Sequence, residues 1–165
     1  GTYVIRTSPF DEDPLGLSKL QDKYKLALEL FEVRLMLEPE IALQAAKNAD
    51  EEDLKQLKQL CDETEQLYLS GKNHIPKDIE FHTCIAKCSK NRVVETLIPL
   101  INTGVMTFAN LTHRMLLEET LETHRAIVHA ICERDSVGAK CAMIMHLTYN
   151  RQVLMRMWKE HQEKN

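Results

Sequence analysis

From Ser18 nearly to the C-terminus, apolar residues recur every three or four positions, the spacing of helices that each bury one face. Breaks in that rhythm predict seven helices. The first covers 18–37 behind Ser18 as N-cap, and Pro39, at a first-turn position, opens a short second helix ending near Asn48. Asp50, with Asp53 three residues on, caps a third helix that carries Leu54, Leu57, Leu60, Cys61 and Leu67 and stops at Gly71. A fourth covers 76–88. Asn91 caps a fifth that reaches Thr112, with Pro99 and Gly104 expected to bend or interrupt it. The sixth and seventh cover 116–134 and 136–160, so the fold class is all-α. Residues 1–17 depart from the pattern: Thr2, Tyr3, Val4 and Ile5 favour a strand, and Pro9, Pro14 and Gly16 around an acidic run read as a linker.

Some polar residues fall on the apolar stripes. In KDIEFHTCIAKC, Asp78 and His82 stand four apart on the stripe of Ile85. His124 shares a stripe with Leu117, Leu121, Val128 and Ile131, and His146 shares one with Ala139, Met143, Asn150, Val153 and Met157. A single inward histidine is ordinarily a core residue bonded to backbone. Four such groups are a different matter, because a buried carboxylate costs several kcal/mol unless it is paired or metal-bound, and each imidazole must satisfy its own nitrogens. A divalent cation offsets these costs together. One oxygen and three nitrogens suit zinc first, then nickel, manganese, cobalt or iron, ahead of calcium or magnesium. Asp78 and His82, at i and i+4, can chelate from one helix; periodicity alone does not bring the three helices together. His74, His113, His129 and His161 lack this setting and read as surface residues or as supports around the site.

A further polar set lies in ELFEVRLMLEPEIA, where Glu32, Arg34 and Glu38 interrupt an apolar region. Arg34 can pair with Glu38 one turn on, or its fork can anchor the carboxylate of a ligand. Both readings stay open on the sequence.

Composition narrows the function classes. The 165 residues suffice for one domain with its own core. The net charge of −4 is spread without a Lys/Arg cluster, so these residues offer no basic face for DNA. No apolar run reaches the ~18 residues of a membrane span and no signal-peptide order opens the chain, which sets a cytoplasmic expectation. Cys61, Cys84, Cys88, Cys132 and Cys141 form no C-x-x-C pair and read as reduced core thiols.

Taken in order, these residues resemble the C-terminal effector-binding (FCD) domain of FadR-like regulators in the GntR family. The carriers are E-x-R-x-x-x-E-P at Glu32, Arg34, Glu38 and Pro39 followed by Ala45-Ala46, D-x-x-x-H at Asp78 and His82, H-R-x-I-x-x-A-I from His124 to Ile131, then Asp135, Ala139, Met143 and His146-Leu147. The likeness spans Leu20 to Trp158. It implies an antiparallel bundle of six or seven helices with a central metal, whose one Asp and three His map onto Asp78, His82, His124 and His146. It also implies homodimers, a small carboxylate or sugar-acid effector at the metal with Arg34 as second anchor, and operator DNA read by a preceding winged-helix domain. Gly1 to Val4 resemble the end of that domain's wing strand, so the expected division is wing and linker over 1–17 and the FCD-type domain over 18–165.

The competing class is a metal-dependent helical enzyme, a hydrolase or oxygenase. A diiron bundle would carry Glu-x-x-His motifs, yet no histidine here has Glu three residues before it. Mononuclear hydrolysis needs a spare general base, and the pattern nominates none.

Overall fold

The computed structural model describes residues 15–20, 22–109 and 117–164. They form a 3-10 turn at Leu17–Lys19 and six helices: α1 (Lys23–Asn48), α2 (Glu51–Leu69), α3 (Ile75–Cys88), α4 (Arg92–Ala109), α5 (Leu117–Cys132) and α6 (Ser136–Glu163). No strand occurs among the described residues. The strand over 2–5, most of the linker, the end of the fifth predicted helix at 110–112, and His113 lie outside them.

Two predicted boundaries move. Ser18 falls in the 3-10 turn, and it is Asp22 that caps α1, its side chain accepting from the Lys25 amide at 3.0 Å. The break expected at Pro39 is absent, because α1 runs unbroken through it. A proline inside a helix removes one donor and costs about 3 kcal/mol. Here it lies within a continuous buried face, Phe31, Ile41, Ala42, Ala45 and Ala46, whose burial outweighs that local cost. The helix α4 likewise continues through Pro99 and Gly104.

The other ends follow the predicted chemistry. Asp50 and Asp53 form a reciprocal capping box at α2, and Asn91 Oδ1 accepts from the amides of Val93 and Val94 at 3.1 and 3.3 Å. Gly71, at φ 66°, closes α2 with the Lys72 amide bonded back to Leu67 O at 3.0 Å. Arg134 takes the same left-handed conformation after α5 without being glycine (φ 60°). Its guanidinium bonds Ala49 O at 2.5 Å, closing the end of α1, a compensation for the strained backbone.

The helices run antiparallel along the chain. α1 packs most extensively on α6, and α5 forms a hairpin with α6. Glu40 meets Lys140 and Glu32 lies 3.8 Å from Arg151, which fixes the opposed directions of α1 and α6. α2, α3 and α4 continue the up-and-down course, with α1 packed against α3, α4 and α5. One core joins them, including Leu57, Phe81, Ile85, Ile98, Ile127, Met143 and Leu147. Cys61, Cys84 and Cys88 belong to it as predicted; Cys132 is half-buried and Cys141 exposed, on the α6 flank away from Met143. No helix among the described residues is long and apolar enough to cross a membrane.

Leu57 is fully enclosed whereas Met36 is 72% exposed. Leu57→Ala is expected to lower unfolding free energy by about 2–5 kcal/mol and Met36→Ala by less than ~0.5, measured by urea denaturation.

Candidate metal centre

Helices α3, α5 and α6 each bring one buried histidine to a common point. His82 (α3), His124 (α5) and His146 (α6) are at most 2% exposed, and one ligand-capable nitrogen from each lies within 4.8 Å of those of the other two. Ring centroids are 4.6 Å apart for His124 and His146, 5.1 Å for His82 and His146, and 5.9 Å for His82 and His124. Asp78, one turn before His82, adjoins this trio through its Oδ1, 3.2 Å from His124 Nε2. Its side chain keeps 27% of its surface, yet that oxygen is buried. The structure thus brings the three histidines into one group and sets Asp78 against His124.

The surrounding bonds assign the imidazole protons. Glu38 Oε2 lies 2.6 Å from His82 Nδ1, so an ionised Glu38 accepts a hydrogen bond from Nδ1–H and leaves the lone pair on Nε2, where Arg34 Nη2 stands 3.4 Å away. Thr123 Oγ1 lies 3.1 Å from His146 Nδ1. The single hydroxyl hydrogen is committed to the Glu119 carbonyl at 2.6 Å, so Thr123 can only accept from His146 and leaves the lone pair of that ring on Nε2. His124 differs: neither nitrogen has a hydrogen-bond partner, and the Asp78 Oδ1 beside it is off the line of a bond and also unpartnered. Orphaned buried atoms of this kind ordinarily cost 1–3 kcal/mol each. Bare lone pairs beside a carboxylate are the donor set a divalent transition metal requires, so these residues fit such an ion.

Electrostatics favour neutral His124 and His146 beside an ionised Asp78. Burial pushes His124 down, partly countered by Asp78. Burial, then the neighbouring His124 and His82, pushes His146 well below the ordinary histidine value. For Asp78, burial acts upward, but the adjoining His124 nitrogen and the electrostatic pull of the surrounding imidazoles outweigh it and hold the carboxyl far below the usual range.

Arg34 borders the site without reaching into it freely. Its Nε and Nη2 bond Glu38 at 2.5 and 3.3 Å, and Nη2 lies over the edge of His82, 3.3 Å from Nδ1 and 3.4 Å from Nε2, the nitrogen able to accept from it. The intramolecular pair read from the sequence is therefore present, and it extends to a metal-capable histidine. That extension was hidden in the sequence, since Glu38 and His82 are 44 residues apart. Thr123 was missed as well; its only signal is adjacency to His124. Among the remaining histidines, His129 and His161 are exposed, whereas His74 is buried at 5% exposure and stacks on Tyr68 at 3.5 Å.

Glu38 gives a pH signature. Burial raises its carboxyl, but Arg34 and His82 overcome this and lower it from 4.5 to about 2. A depressed carboxyl contributes stability that is complete above the unfolded value and is lost as pH falls toward the folded one. Glu38→Gln should therefore cost roughly 3 kcal/mol at pH 7, and that penalty should shrink by about 1 kcal/mol at pH 4. Paired urea titrations at the two pH values measure both.

Comparison with known proteins places this geometry in a family. The FCD domain matches residues 29–149. The HTH-type transcriptional regulator YcbG of Bacillus subtilis is 28% identical over 94% of the chain, and the Uxu operon regulator of Haemophilus influenzae 29% over 89%. The solved structure of Streptococcus agalactiae GntR superposes with TM-score 0.76 at 37% identity over 86% of the chain. The chain spans 67%, 56% and 65% of the length of these three proteins. On the profile match over most of its length and the shared six-helix fold, the chain belongs to the FCD domain family, the effector-sensing domain of GntR-family transcription regulators.

Proposed function

We propose that this chain senses a small organic acid at a divalent metal held by Asp78, His82, His124 and His146, and passes binding on to operator affinity in a DNA-binding transcription regulator. The observation that carries the reading is the buried trio of imidazoles, one nitrogen of each within 4.8 Å of the others, beside an unpartnered carboxylate oxygen. Zinc fits the donor set first; nickel, manganese, cobalt or iron also fit. Four protein ligands leave about two positions on an octahedral ion, which suits a carboxylate or an α-hydroxy carboxylate. Arg34 would hold the acid's second end: its Nε and Nη2 grip Glu38, and the guanidinium carries further N–H groups. Asp78's partial exposure supports this side as the route in.

The related YcbG is named an HTH-type regulator and extends beyond the region this chain matches. That supports a helix-turn-helix domain working with these residues in the whole protein, in a homodimer and in the cytoplasm. An effector shifts an equilibrium only by its differential affinity for two states. The centre spans α3, α5 and α6 with Glu38 of α1, so ligation would favour one mutual placement of these helices and hence one spacing of the DNA-reading domains on operator half-sites. The enzyme alternative gains no support from the site: the carboxylate beside the imidazoles is taken as a ligand and Glu38 is consumed by Arg34 and His82.

Protein purified without chelator should contain one first-row transition metal per chain by elemental analysis, and His124→Ala or His146→Ala should lose both metal and thermal stability. Metal-free wild-type protein would overturn the reading. A carboxylate library should yield an acid whose thermal shift vanishes in Asp78→Ala; an equal shift in that variant would remove the metal from the effector site.

A further inference from the structure

Asn102 is a second polar residue left without partners. On α4 it is 3% exposed, between buried Ile98 and Ile101 and the continuing helix, and among the described residues neither its Oδ1 nor its Nδ2 has a hydrogen-bond partner. A buried amide that no protein group satisfies is a costly choice where leucine would serve, and such choices concentrate where a ligand supplies the missing bonds.

Its depth in the bundle follows from three contacts. Asn48 Nδ2 bonds Ser89 O at 3.0 Å, so the end of α1 meets the connection between α3 and α4. Glu38, ten residues back along α1, meets His82, seven residues back along α3. α1 and α3 therefore run in the same direction. α4 leaves the connection the other way, lining a groove with Leu37, Ile41 and Gln44 of α1 through Val94 and Ile98. Residues equally far from the connection lie opposite one another in such a hairpin, which sets Ile98 at the level of His82 and Asn102 at the level of Asp78. The amide thus stands on the interior face of α4, at the Asp78 end of the metal centre and along the α1 side that holds Arg34.

We infer that Asn102 is a specificity-determining residue for the effector, reading a hydroxyl or carbonyl oxygen beyond the end that binds the metal. An amide offers a donor and an acceptor together, which matches a hydroxyl better than a second carboxylate. The ligand class this selects within the proposed function is a polyhydroxy acid, an α-hydroxy carboxylate carrying at least one more hydroxyl. The inference rests on the metal-centred reading and adds the recognition of the distal end.

D-glycerate and D-lactate differ by one distal hydroxyl and share the same metal-chelating end, and D-gluconate extends the series. Calorimetry on metal-loaded wild-type protein should show glycerate or gluconate binding about tenfold tighter than lactate, and Asn102→Leu should erase that preference while leaving lactate affinity and metal content unchanged. Asn102→Leu should also raise the melting temperature of the metal-loaded, effector-free protein, which a structural asparagine would not permit. Equal affinity for the three acids in wild-type protein, or a preference that survives in Asn102→Leu, overturns the inference. Elemental analysis of the same samples separates the two failures: absent metal counts against the centre itself, and retained metal with no distal preference counts against Asn102 alone.

Discussion

A single carboxylate, Glu38, sits at the junction of the structure. It is buried, gripped by Arg34 on its own helix and bonded to His82 on α3. A buried arginine left without that anion would cost several kcal/mol. His82 without it would lose the acceptor that fixes its tautomer. The buried face of α1 and the inward face of α3 therefore share one electrostatic condition. Pro39 directly follows Glu38 and is carried through the helix by the packing on either side of it.

Around this junction the bundle concentrates its unsatisfied chemistry. The apolar layers are closed, with Leu57, Phe81, Ile85, Ile127, Met143 and Leu147 nearly or wholly shielded. Among the described residues, the buried side-chain atoms without partners are Asp78 Oδ1, both His124 nitrogens and the Asn102 amide, and the helix register inferred above sets them at neighbouring depths of α3, α5 and α4. Distributed through the core they would only destabilise it. Gathered at one level they form a surface that gains from a cation and an oxygen-rich anion, the balance expected of a binding site set in an otherwise well-packed domain.

Much of this was legible along the chain because its causes are local. His82, His124 and His146 stand on helical stripes of period 3.6, and stripes are inward by construction, so their convergence needed only the helices to pack. Asp50, Gly71 and Asn91 act within four residues of themselves, and their predicted roles hold. The break at Pro39 failed because a local rule met a larger tertiary term. The links from Glu38 to His82 and from Thr123 to His146 were hidden because they join helices far apart in sequence. Asn102 gave no signal because its meaning lies in what is missing around it, and His74 looked like a loop residue until Tyr68 covered it.

The central claim is that three imidazole Nε2 or Nδ1 atoms and the Asp78 carboxylate share one ion. X-ray absorption at the edge of the metal carried by the purified protein tests it most directly. The account predicts a first shell of nitrogen and oxygen only, with the outer-shell multiple scattering of three histidine rings. A shell containing sulfur, or one with fewer than two imidazole rings, would contradict it.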